Sequence, residues 1–249
     1  MVGSVGCRFL RRTIPAFKKL HGVDLTICNG ENSADGNGIT PRSADFLFSS
    51  GVDIITLGNH SFRRREIFAY LNESDYIIRP LNFPEATTPG RGLCTVDLGY
   101  TRVCVLNLMG QQYIDAGLDN PFLCIDRALK SVDAPVVLVD FHAEATSEKR
   151  AMGYYLDGRV SAVFGTHTHV QTADEEVLPH GTGYITDLGM TGPIHSVIGV
   201  DKDIIIRRFT SKLPERFDYA DGDCKLDCVI FDIDHRSGRC TDAVRYELR

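Results

Sequence analysis

Short apolar runs at residues 23–28, 52–57, 102–108, 135–141, 161–164, 183–185 and 228–233 alternate with stretches of helical spacing, and this alternation restricts the chain to an α/β architecture. The helical candidates are 6–20, 41–50, 64–71, 121–131 and 148–157. In the first of them Phe9, Leu10, Thr13, Ile14, Phe17 and Leu20 recur at helical spacing, with Pro15 as an expected kink. Asp221-Gly222 and Ser237-Gly238 are turn pairs that suggest hairpins near the end of the chain. An α/β domain ordinarily opens with a strand, because its first helix must pack on something. Here Met1-Val2-Gly3-Ser4-Val5-Gly6 leads straight into a helix, so the expected sheet lacks its first strand.

The 249 residues fit one large domain, 1–249, with no linker-like excess of Pro or Gly/Ser. A hydrophobic fraction of 43% and a charged fraction of 24% exclude disordered and fibrous classes. No apolar run reaches the roughly 18 residues a membrane span needs, and nothing at the N-terminus resembles a signal segment, so a cytoplasmic protein that does not enter membranes is expected. The net charge of −6 argues against a duplex nucleic-acid partner while leaving small anionic substrates open. The eight cysteines are dispersed without a Cys-x-x-Cys pair, as reduced thiols would be. No coiled coil or apolar surface stripe is visible, which leaves a homo-oligomer open.

Just past four of the apolar runs the chain reads Asn29-Gly30-Glu31-Asn32, Gly58-Asn59-His60, Asp140-Phe141-His142 and Gly165-Thr166-His167-Thr168-His169. Each places carboxylate, amide or imidazole groups at the carboxyl end of a strand, the edge where open α/β sheets bind ligands. Taken singly these residues have ordinary explanations. Asn29, Asn32 and Asn59 can cap turns or helices, His142 can be a satisfied core histidine, and a His-x-His pair can straddle a strand. Jointly, the mixture suits Mn²⁺, Fe²⁺ or Zn²⁺ better than Ca²⁺ or Mg²⁺, which prefer oxygen-only shells. There are more donors than one tetrahedral ion needs, so a two-metal centre follows, with Glu31, the sole acidic group counted among the ligands, as the bridge. Asp140, Thr166 and Thr168 are candidates for hydrogen bonds that fix imidazole tautomers. The loop Gly189-Met190-Thr191-Gly192 is a candidate source of backbone N–H groups for phosphate, with a plain tight turn as the alternative. His21, His180 and His235 lack such surroundings, and His195 is undecided.

Gly58-Asn59-His60 and Gly165-Thr166-His167-Thr168-His169 resemble motifs of the calcineurin-like metallophosphoesterases. The longer blocks 29–40, 140–149, 165–174 and 186–193 resemble the bacterial YmdB-type branch of that superfamily, and the likeness runs from Val2 nearly to the C-terminus. The resemblance implies a four-layer α-β-β-α sandwich of two mixed sheets and a dinuclear phosphodiesterase acting on 2′,3′- or 3′,5′-cyclic nucleotides. Two iron or manganese ions are implied, with zinc as a further candidate. Carried over by position, Glu31 bridges, Asn59, His142 and His167 complete one metal site, and Asn32 and His169 belong to the other. His60 is the implied catalytic residue over the scissile phosphate.

The chain departs from the family pattern at its front. Members begin with a hydrophobic strand ending in Gly-Asp, and Met1 to Gly6 matches only the segment after that aspartate. Without it the Asn32/His169 site loses its own carboxylate. A second departure is Ser61-Phe62-Arg63 where the family tends to carry Thr-Trp-Asp. Four or five buried strand side chains contribute about 1.5–3 kcal/mol each, comparable to a domain's whole stability of about 5–15 kcal/mol. The expectation is therefore a natural chain extending upstream of Met1, with a weakened or single-metal protein as the alternative. The rival activities are a phosphomonoesterase or nucleotidase on the same centre, and a nucleotide-binding regulator without turnover.

Overall fold

The computed structural model describes residues 1–114 and 117–249. Its first half runs α1 (Gly3–His21), β1 (Ile27–Asn29), α2 (Pro41–Ser49), β2 (Ile54–Thr56), α3 (Ile67–Glu73), β3 (Ile77–Ile78), β4 (Leu93–Asp97), β5 (Arg102–Met109) and α4 (Pro121–Leu129). The second half runs β6 (Val136–His142), α5 (Thr146–Leu156), β7 (Ala162–Thr166), β8 (Glu176–Val177), β9 (Gly183–Ile185), β10 (Thr191–Pro193), α6 (Lys202–Ser211), β11 (Cys224–Ile233) and β12 (Cys240–Leu248). Pro15 lies inside α1, which continues past it and stops at Gly22, whose left-handed conformation (φ 62°) is the usual glycine helix stop. The capping box of Thr40 and Ser43 starts α2.

Strand alternation sorts the side chains into four layers. In the six-stranded sheet β4-β5-β6-β7-β9-β8, the strands β5, β6, β7 and β9 are parallel and both edges are antiparallel. One of its faces packs on Cys124 and Ile125 of α4 and Met152 and Leu156 of α5. Its other face, with Val105, Leu138 and Phe164, meets Ile54, Ile78, Val229 and Phe231 of the second β layer. The outer face of that second layer, with Ile55, Leu57 and Leu226, is covered by Phe9, Leu10 and Ile14 of α1 and Leu47 of α2. The order is thus helix, sheet, sheet, helix. Because β6 is covered on both sides, all seven of its residues are buried, and apart from Asp140 it is apolar from Val136 to Phe141 before ending on His142.

The second β layer is divided into a parallel sheet β1-β2-β3 and an antiparallel sheet β10-β11-β12. Between β1 and β11 lies a cavity of about 410 Å³ lined by Leu10, Ile14, Ile27, Leu138, Phe164 and Leu226. At one end the first two residues span the gap: the Met1 ammonium donates to the Asn29 carbonyl and the Val2 N–H to the Thr191 carbonyl. All eight cysteines are free, as their dispersed spacing predicts.

Candidate metal centre

Parallel pairing brings the predicted ligands to one edge. Asn29 is in register with Thr56, and His142 with both Met109 and Thr166, so the loops after β1, β2, β6 and β7 open on the same side. Glu31 is almost wholly buried. Its Oε1 lies 3.2 Å from His142 Nε2 and 3.8 Å from His60 Nδ1, and its Oε2 accepts the His60 N–H at 2.8 Å. His142 Nε2 is 2.9 Å from Asn59 Oδ1 and 3.1 Å from His167 Nδ1. Among the described residues, Glu31, His142 and His167 form the one cluster of His, Cys, Asp and Glu ligand atoms tight enough for a single ion, all within 4.8 Å of one another.

Hydrogen bonds behind the cluster decide which nitrogen faces inward. Thr166 Oγ1 donates to Asp140 Oδ1 at 2.6 Å and so accepts the His142 Nδ1–H at 2.9 Å, leaving the Nε2 lone pair for the centre. Thr56 donates to the other oxygen of Asp140. His167 presents Nδ1 and turns Nε2 to Glu144, 3.0 Å away. Glu144 went unrecognised in the sequence, although it stands only two residues past His142. In the second half of the centre, His169 donates from Nδ1 to the Ile198 carbonyl at 3.0 Å and directs Nε2 toward Asn32, 3.4 Å away. Asn32 Oδ1 accepts from His60 Nδ1 at 2.7 Å, so His60 keeps Nε2 free. Among the described residues, the carboxylate hydrogen-bonded to this pair is Glu31, whose Oε1 accepts from Asn32 Nδ2 at 3.4 Å.

Proton affinities follow this geometry. Burial opposes the charged form of Glu31, but the neighbouring His142 and His60 outweigh it and hold the carboxyl at about 2. Burial alone would depress His142, yet Glu31 pulls it upward. His167 falls to about 4, through burial first and then the charge of His142. Burial lowers His60 against the opposing pull of Glu31, and lowers His169 together with the Met1 ammonium. Asp140 rises to about 6 because it is buried, against the pull of His142 and its hydroxyl donors. Close-packed lone pairs around a buried carboxylate, each ring fixed from behind, fit a divalent ion held by Glu31, Asn59, His142 and His167. Glu31, Asn32 and His169 offer a poorer second set.

Two expectations meet different surroundings. Thr168 does not touch an imidazole; its N–H and hydroxyl go to Asp187. In the loop before β10, the N–H groups of Gly189 and Met190 are already taken by Asp187 and Asp227, and Thr191 is buried in pairing with Leu226, so this loop works as a structural turn. His21 packs on Phe17 and Tyr246, His235 on Tyr100, and His180 pairs with Asp157, all away from the centre. His195 lines a separate surface cleft with Arg8 and Arg12.

The YmdB-like protein family matches residues 1–246. The chain belongs to the YmdB-like family. Among its relatives is a 2′,3′-cyclic-nucleotide 2′-phosphodiesterase of Bacillus subtilis (strain 168), 44% identical over 247 residues that cover 98% of this chain and 93% of the relative. A protein from Thermus thermophilus, described as hypothetical, superposes with a TM-score of 0.93 at 41% identity, covering 99% of this chain and 95% of the other. A protein from Mycoplasma pneumoniae described as a novel phosphatase superposes with a TM-score of 0.94 at 32% identity, covering 99% and 90%. The YmdB-like fold is therefore carried by essentially the whole chain. Among the described residues no helix is long and apolar enough to cross a membrane.

Proposed function

We propose that this phosphoric diester hydrolase opens 2′,3′-cyclic nucleotides at a centre for two divalent ions of the manganese, iron or zinc type. The first ion is held by Glu31, Asn59, His142 and His167. The second is held more weakly by Glu31, Asn32 and His169. The observation that carries this reading is the cluster of Glu31, His142 and His167 ligand atoms within 4.8 Å, with Asn59 Oδ1 beside it. The name of the Bacillus relative favours the cyclic diester as substrate.

A metal pair of this kind, when bound, acidifies a water and neutralises charge on phosphoryl oxygens. The protein's own part lies in orientation and one proton. Thr166 and Glu144 keep His142 and His167 in the ligating tautomers, so no reorganisation is needed when substrate arrives. His60, anchored by Asn32 at Nδ1 and by Glu31 through its own N–H, keeps Nε2 available for substrate. Burial keeps its ring mainly neutral near pH 7, and an anionic phosphodiester beside it raises its proton affinity again. The substrate thus recruits the proton that His60 hands to the leaving ribose oxygen, a contribution of about 10²–10⁴-fold.

Product analysis with Mn²⁺ tests this reading. Incubated with 2′,3′-cyclic AMP and separately with adenosine monophosphates, the protein is expected to open the ring and accumulate monophosphate, with kcat falling by about 10²–10⁴ in His60→Ala. Release of inorganic phosphate from the monophosphates as the main reaction would establish the phosphomonoesterase reading that the Mycoplasma relative's description suggests. Nucleotide binding without turnover would establish the regulator.

A further inference from the structure

Behind the His167-Thr168-His169 turn lies a buried ion pair that the metal chemistry leaves without a role. Lys149 Nζ on α5 is 2.6 Å from Asp187 Oδ2, and the two side chains are 1% and 0% exposed. The same oxygen accepts the Thr168 hydroxyl at 2.8 Å and the Thr168 N–H at 3.1 Å, while Oδ1 accepts the Gly189 N–H at 2.9 Å. One carboxylate therefore grips Thr168 twice, and Thr168 is the residue between the two imidazoles. Both neighbours sit at positive φ, 109° for His167 and 64° for His169, a conformation that side-chain-bearing residues keep only when the surroundings enforce it. Lys149 reaches Asp187 by passing over Gly165, where an added Cβ would lie 2.9 Å from its Cδ and 1.7 Å from the Thr186 carbonyl oxygen.

We infer that Lys149 and Asp187 are positioning residues, a buried clamp that holds Thr168 so that His167 and His169 face opposite halves of the metal centre. This rests on reading those two histidines as ligands. A pair kept for stability alone is a poor explanation. Desolvating two charges consumes most of their attraction, and apolar replacements of similar size are often neutral or stabilising. Thr168 makes the difference: an apolar pair can fill the space but offers nothing to its N–H and hydroxyl.

The experiment compares wild type, Lys149→Met/Asp187→Leu and Thr168→Val by thermal unfolding, Mn²⁺ affinity from chelator competition, and amide hydrogen exchange of the metal-free protein. The expected result for the double variant is a protein that still unfolds in one cooperative transition, with Mn²⁺ binding weakened about 10–100-fold and at least about tenfold faster Thr168 exchange. Thr168→Val, at a partly exposed site where folding is not at risk, is expected to lose Mn²⁺ affinity in the same direction. Wild-type Mn²⁺ affinity in both variants, with the turn still protected in the double variant, would overturn the inference. Should wild type itself bind no Mn²⁺, the ligand reading fails. Thr168 exchange in the metal-free protein still decides whether the clamp holds the turn: unchanged exchange in the double variant overturns it and faster exchange supports it.

Discussion

In the proposed centre Glu31 is the carboxylate that both halves share, and its burial among imidazoles carries a large electrostatic consequence. Its pKa falls from 4.5 to about 2 on folding. A carboxyl depressed in this way stabilises the fold above pH 4.5, and that stability is lost as pH falls toward 2. The shift corresponds to about 3 kcal/mol in the metal-free protein. Glu31→Gln is expected to flatten the acid limb of a stability curve followed by urea unfolding and to remove bound metal, both measurable on one preparation. Gly58 sets a second constraint at this scale, because a Cβ there would fall 2.3 Å from His142 Nε2. Gly58→Ala is expected to displace that ring and weaken Mn²⁺ binding by about 10–100-fold, read by chelator competition.

At the scale of elements, Gly165 stands in β7 just past its pairing with β9, and its missing Cβ is what admits the Thr186 carbonyl and the Lys149 stem. Gly165→Ala is expected to cost about 1–3 kcal/mol or more in urea unfolding, because backbone on the far side cannot give way. The strands that show clearly in the sequence are those covered on both faces, such as β6, which is apolar from Val136 to Phe141 except at Asp140. β4 gives no clear sequence signal because polar and exposed residues interrupt it, and α6 none because a single residue of it, Ile205, is buried, whereas the Ser237-Gly238 turn does join β11 and β12 in the expected antiparallel hairpin. The proposed ligands are readable because each stands at or shortly past the carboxyl end of a strand, β1, β2, β6 or β7. Glu144 and Asp187 are not, since the first lies beyond a turn and the second reaches Thr168 only through the pairing of β7 with β9. The division of the second β layer into two sheets is a fact of packing that strand-like runs alone do not show.

For the molecule as a whole, the four layers are held by three apolar clusters with no disulfide among the eight cysteines. Burial pushes several thiols up, Cys7, Cys94 and Cys228 to about 12. Reductant is therefore expected to leave the melting temperature unchanged, and the thiols to react fully only after denaturation, as a colorimetric thiol count would show. A metal that binds the proposed centre only in the folded chain stabilises the fold by mass action. Saturating Mn²⁺ at about 100 times its Kd is expected to add about 2.7 kcal/mol, which for a chain of this size is roughly 5–11 °C in melting temperature. The most direct test of the whole account is the rate of 2′,3′-cyclic AMP hydrolysis with and without Mn²⁺ in wild type and His142→Ala. Turnover that requires Mn²⁺ and disappears in His142→Ala is the predicted result, and turnover that survives either change would contradict it.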